Sequence, residues 1–143
     1  MLLGEYEHTL DEKNRLTLPA KFRDELAEGV VVTRGMDGCL YVYARDEFGR
    51  LADRMRALDT LGREARLMHR HFFSGATDAE PDKQGRIMIP AALLESGGLR
   101  REVVVAGVYD HLEIWDRAAW RTHLEEVEGS AEHVAERLAA NRD

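Results

Sequence analysis

Residues 11–20 read DEKNRLTLPA, and residues 82–91 read DKQGRIMIPA. The two stretches align without a gap at an offset of 71 residues; Asp, Arg and the Pro-Ala pair are identical, and the aliphatic positions correspond. A second block, VVTRGMDGCLYVYARDEF at 31–48, aligns with VVVAGVYDHLEIWDRAAW at 103–120 at an offset of 72. Gly35 then matches Gly107, Leu40 matches Leu112, and Arg45 matches Arg117. Two blocks in the same order at nearly one offset mark an internal duplication of a unit of about 45 residues.

Each unit reads as ββαββ. Tyr6, His8 and Leu10 alternate with Glu7 and Thr9, and Leu16 and Leu18 alternate with Arg15 and Thr17. This period of two belongs to half-buried strands. Asn14 and Gly85 hold the same place in the joining turns, and both residue types accept a left-handed backbone. Pro19 and Pro90 suit the start of short helices, carrying Phe22 and Leu26 in one copy and Leu93 and Leu94 in the other. Gly29 and Gly97 are placed to end them. The β-branched runs 30–33 and 103–105 follow, then a glycine-containing turn and the strands 40–43 and 112–115.

Apolar spacings of three and four over residues 46–73 predict two helices separated at Gly62. Trp120, Leu124 and Val127 predict another helix ending at Gly129, with Ser130 capping a last one that carries Val134 and Leu138. The chain thus divides into a first repeat (1–48), connecting helices (49–75), a second repeat (76–121) and an acidic helical tail (122–143). A single unit is too small to bury a sufficient core. Two units packed about a pseudo-twofold axis give an α+β chain with a mainly β core, a β-barrel with peripheral helices.

The 143 residues carry a formal charge of −7, which by itself argues against a nucleic-acid partner. The distribution argues otherwise. Residues 122–143 hold six acids and two arginines, whereas residues 11–23 hold four basic and two acidic side chains. Such a local basic patch acts over a Debye length of about 8 Å, while a distant acidic tail is screened. The one cysteine, Cys39, excludes an internal disulfide framework and any zinc site needing two thiolates from one chain. It reads as a small buried residue. No secretory signal opens the chain, and no apolar run approaches the roughly 20 residues of a membrane helix; a cytoplasmic location follows.

The pattern D-x-x-G/N-R-h-x-h-P-A, followed by a short helix and a valine-rich strand, resembles the AbrB-like family of swapped-hairpin DNA-binding domains. The resemblance covers residues 1 to about 121, with Asn14 standing where the family usually has glycine. It implies a double-split, swapped-hairpin β-barrel and assembly of a homo-oligomeric ring. It further implies a transcriptional regulator, associated with the nucleoid, that binds double-stranded promoter DNA with repeated elements ahead of its own division and cell-wall gene cluster.

Strand alternation supplies the candidate contacts. With Leu16, Leu18, Ile87 and Ile89 facing inward, Arg15, Thr17, Arg86 and Met88 face outward. Arg15 and Arg86 suit bidentate contacts to guanine or phosphate, and Lys13 and Lys83 suit phosphates. Asn14 and Gln84 lie beside them as further DNA-binding candidates, while Asp11, Asp82 and Gly85 form the turns. Lys21 and Arg23 are secondary candidates. Met88 is out of character for a plain surface strand.

No catalytic, cofactor or metal site emerges. His69 and His71, two apart on a helix, point to different faces, so they read as helix-surface or packing residues; His111 and His123 have no recognisable partner. No phosphate-binding loop, nucleophile elbow or H-E-x-x-H motif occurs. The favoured reading is therefore a DNA-binding regulator without cofactor or small-molecule substrate. The alternative is a ring-forming structural protein that does not bind DNA, and an enzyme is the least supported class.

Overall fold

The computed structural model describes residues 1–141. Strand β1 (Leu2–Thr9) leads through a tight turn into β2 (Arg15–Thr17). A 3-10 turn (Ala20–Phe22) and the short helix α1 (Arg23–Leu26) precede β3 (Val30–Arg34), β4 (Leu40–Ala44) and α2 (Arg45–Arg56). Helix α3 (Arg63–His69) runs into a π turn (Arg70–Ser74) and then β5 (Thr77–Ala79). The second copy continues with β6 (Arg86–Met88), α4 (Ala91–Ser96), β7 (Glu102–Tyr109), β8 (Leu112–Asp116) and α5 (Arg117–Ala140).

The strands pair across the copies. β1 lies antiparallel to β7, β5 to β3, β4 to β8 and β2 to β6. Under the duplication, β1 corresponds to β5 and β3 to β7, so the first two pairings are counterparts. The other two each join a strand to its own counterpart. A pseudo-twofold axis therefore passes between β4 and β8 and through the Leu16–Ile87 pair of the β2–β6 ribbon.

The expected barrel takes a more open form. Six strands make one antiparallel sheet in the order β1-β7-β8-β4-β3-β5, with β1 and β5 at its edges, and β2 and β6 make a separate two-stranded sheet. No closed barrel is formed among the described residues. The turns after Leu10 and before Arg86 take the chain out of the large sheet, and the ribbon packs on that sheet through side chains. Leu16, Leu18, Ile87 and Ile89 share one core with Val30, Val32, Leu40, Val103, Val105, Leu112 and Ile114. Valine on the sheet and isoleucine on both layers suit pleated, half-buried surfaces.

Gly62 caps the start of α3, as its position between two apolar stripes predicts. Gly129 does not end a helix: α5 runs unbroken through Gly129 and Ser130. One internal glycine costs a helix about 1 kcal/mol, too little to stop it without a competing turn. Asp116 instead caps this helix at its start, accepting from the Ala119 N–H. A second small core, of Tyr43, Leu51 and Phe72, holds α2 and the π turn against the sheet. Among the described residues no helix is long and apolar enough to cross a membrane.

Candidate nucleic-acid interface

Asn14 and Gly85 both adopt left-handed backbone angles, with φ of 58° and 76°. This lets Asp11 and Asp82 gather the following amides in the same way. Asp11 Oδ1 accepts from the N–H of Lys13 (2.9 Å) and Arg15 (2.8 Å), and Oδ2 accepts from Arg15 Nε (2.7 Å). Asp82 Oδ1 accepts from the N–H of Gln84 (2.9 Å) and Arg86 (2.9 Å), and Oδ2 from Arg86 Nε (2.8 Å). Both carboxyls sit below the usual carboxylate range, chiefly because a backbone N–H, that of Arg15 or of Arg86, favours the charged form.

The ribbon locks each turn to the other copy. The Leu18 amide donates to the Gly85 carbonyl (2.8 Å), and the Ile89 amide donates to the Asn14 carbonyl (3.0 Å). Within the ribbon Arg15 stands opposite Met88, Leu16 opposite Ile87, and Thr17 opposite Arg86. Leu16 and Ile87 are buried, so the other four side chains share the outer face. Arg15 and Arg86 occupy diagonal corners, with Cβ atoms roughly 7 Å apart by ribbon geometry.

This arrangement clarifies what the arginines offer. Their side chains are each 28% exposed, and each spends its Nε on an aspartate. The terminal nitrogens remain for an external acceptor, and the ion pair fixes where they point. Preorganisation lowers the entropic cost of binding. Lys13, Lys83 and Lys21 make no ion pair among the described residues, and the Asn14 and Gln84 side-chain amides make no hydrogen bond there. Arg23 is placed differently. Its Nε donates to the Leu18 carbonyl (3.1 Å), and its guanidinium lies over Gly85.

Three features escaped the sequence reading. One is the Asp–Arg ion pair, whose signal was the same four-residue spacing in both copies. Another is Arg101, whose backbone carbonyl accepts from the Leu10 amide and which lines the cleft beside the first turn. The third is a pair of latches. Arg45 reaches Asp78 (3.5 Å), and its counterpart Arg117 reaches Glu7 (3.0 Å), each from the first residue of a helix to the other copy's edge strand.

The histidines are packing groups. His71 Nε2 contacts the Gly35 carbonyl at 2.8 Å, and His69 Nε2 contacts the Met55 carbonyl. His111 does have partners: Asp110 at 2.7 Å, Glu113 at 3.8 Å, and the rings of Tyr41 and Tyr43. The two acids lie one and two residues away in sequence, and the tyrosines on β4 come alongside through the β4–β8 pairing, which periodicity does not resolve. Cys39 is buried, and burial pushes its thiol well up.

Fold and site together define a tandem-repeat α+β protein that presents a twinned, arginine-bearing ribbon on one face. Comparison with known proteins gives the family. The profile described as "MraZ protein, putative antitoxin-like" matches twice, over residues 1–71 and 72–142, and the chain belongs to the MraZ family. It is 51% identical over 138 residues to the transcriptional regulator MraZ of Kocuria rhizophila, covering 96% of each chain. The transcriptional regulator MraZ of Heliobacterium modesticaldum is 46% identical over 138 residues, again 96% of each. That of Micrococcus luteus is 51% identical over 130 residues, 91% of each.

Proposed function

We propose that this chain is a sequence-specific, non-enzymatic transcriptional regulator whose β2–β6 ribbon and adjoining turns meet double-stranded promoter DNA. The observation that carries the reading is the twinned Asp–Arg turn: two arginines, oriented alike, stand on one face of a ribbon of the width a major groove admits. Arg15 and Arg86 set register or read guanine, Lys13 and Lys83 contact phosphates, and Asn14 and Gln84 add donors. Asp11, Asp82 and Gly85 shape the turns. The relatives' shared name, transcriptional regulator, supports the same role.

One ribbon makes few contacts, so its affinity is weak. A homo-oligomeric ring that offers several ribbons to repeated elements gains through effective concentration. The finer reading is a swapped-hairpin, double-split arrangement of two repeats, acting at the nucleoid on elements upstream of the chain's own division and cell-wall gene cluster. The experiment is footprinting there, followed by titration of the protected duplex with Arg15→Ala and Arg86→Ala. Each change is expected to weaken binding by about 1–3 kcal/mol. It should also flatten the dependence of log K on log salt by about 0.9 for each phosphate no longer neutralised. Unchanged affinity together with an unchanged slope rejects the assignment.

The second reading, an assembly protein without DNA, draws on the exposed Val127 and Leu138 of α5. Sedimentation with and without the duplex separates the two.

A further inference from the structure

One residue of the ribbon's outer face is unsuited to phosphate. Met88 is 62% exposed, directly opposite Arg15. It cannot turn inward, because Ile87 beside it fills the core and a one-residue slip would expose that side chain. A thioether donates nothing and accepts only weakly. Its counterpart at the 71-residue offset is Thr17, which also brings a methyl group to this face. The outer face is thus a square, with the two arginines on one diagonal and Thr17 and Met88 on the other.

We infer that Met88 and Thr17 are the ribbon's apolar readers of base edges, contacting the C5-methyl group of thymine in the major groove. This rests on the reading of the ribbon as the DNA-binding face. Apolar contact is the way a protein distinguishes the thymine methyl, and Thr serves that purpose as well as larger side chains. Met88, with its flexible unbranched chain, is the longer probe. A second copy of this chain is a poorer occupant: apposing two such faces sets arginine pairs against arginine pairs, a like-charge contact.

The square also carries direction. The arginine diagonal looks the same after rotation about the pseudo-twofold axis, so it cannot tell one direction along an element from the other. The Thr17–Met88 diagonal changes under that rotation. Each protomer therefore prefers one orientation on its element, with the Met88 corner over thymine.

The test uses the full chain and a duplex that the wild-type protein selects from random sequence. Each thymine is replaced singly by deoxyuridine, which lacks only the methyl group. Wild-type protein is expected to lose about fourfold in affinity, the transfer value of one buried methyl, at any thymine under Thr17 and at the one under Met88. Met88→Ala makes that replacement silent, and Met88→Leu keeps the loss. A selected element without thymine, a wild-type scan that is silent throughout, or an equal loss in Met88→Ala overturns the inference. If Arg15→Ala and Arg86→Ala bind like wild type, the ribbon reading itself fails. If they lose binding while the uracil scan is silent, only the reader role of Met88 and Thr17 fails. A changed sedimentation coefficient of DNA-free Met88→Ala places Met88 between copies and likewise overturns it.

Discussion

Residues 71 apart in the two ribbon turns make the same bonds with the same atoms, whereas the segments entering those turns differ. β1 is eight residues long and pairs with β7 along its whole length; its counterpart β5 has three residues. The cause lies on the neighbouring strands. In the first copy Thr33 Oγ1 donates to the Phe72 carbonyl (2.6 Å), and Arg34 donates to the carbonyls of His71 and Arg70. These side chains hold the π turn where further strand would lie. In the second copy the matching residues are Val105 and Ala106, which have no such groups and pair with Tyr6 and Glu5. The pair shows that the ribbon is the shared element, and that side-chain donors on the central strands decide how far each edge extends.

The sharpest way to break the likeness of the turns is at their left-handed residues. A Cβ on Gly85 would lie 2.5 Å from Arg23 Nε, besides the strain of φ +76°. Gly85→Ala is expected to cost about 2–3 kcal/mol in urea unfolding, and Asn14→Ala, strained but carrying no such lid, about 1 kcal/mol. Adding Arg23→Ala should recover part of the Gly85→Ala loss; equal costs at the two turns would exclude any effect of the arginine lid.

Thr33→Val addresses the edges. It leaves the Phe72 carbonyl without its buried donor, and a loss of about 1–2 kcal/mol in thermal unfolding is expected. A neutral result would mean that the π turn holds its place without this bond.

Acid titration tests the aspartates. Because their folded pKa values are depressed, the stability that Asp11 and Asp82 contribute is present above the unfolded carboxylate value and is lost as pH falls through the folded values. Carboxyl NMR titrations should show the two moving together. A normal value at one turn alone would break their equivalence.

The smallest effect is expected at residue 111, which matches Cys39 at the 72-residue offset. Burial lowers the imidazole's proton affinity, but the nearby Glu113 carboxylate and the contact with Asp110 outweigh it, so its pKa is raised. The stability it contributes is present below the unfolded histidine value and is lost as pH rises through the folded one. His111→Gln should remove that step from a stability profile recorded between about pH 6 and 9. A profile identical to wild type would show that the imidazole contributes nothing.

The turns were legible because they depend on local chemistry: an aspartate, a residue tolerant of positive φ, and alternating aliphatics. So was the inward facing of Leu16 and Ile87, which follows from period two. The partner of each strand was not legible. Alternation tells β1 which side faces the core, but not that Val103 to Val105 lie alongside it rather than its own sequence neighbours. The orientation of the arginines was legible only as outward; their tie to Asp11 and Asp82 depends on turn geometry. Helix α5 misled for a different reason. A glycine and a serine together look like a stop and a cap, but neither forces an end when no other structure competes for the chain.

The pairing of β1 with β7 has a consequence for biosynthesis. Thr9 meets Glu102 and Leu2 meets Tyr109, so β1 leaves the ribosome roughly 100 residues before its neighbour exists. At ordinary elongation rates that is a wait of about 5–20 seconds. Throughout it, a strand with free backbone groups must avoid other nascent chains, so β1 is the segment of this chain with the longest need for chaperone protection during synthesis.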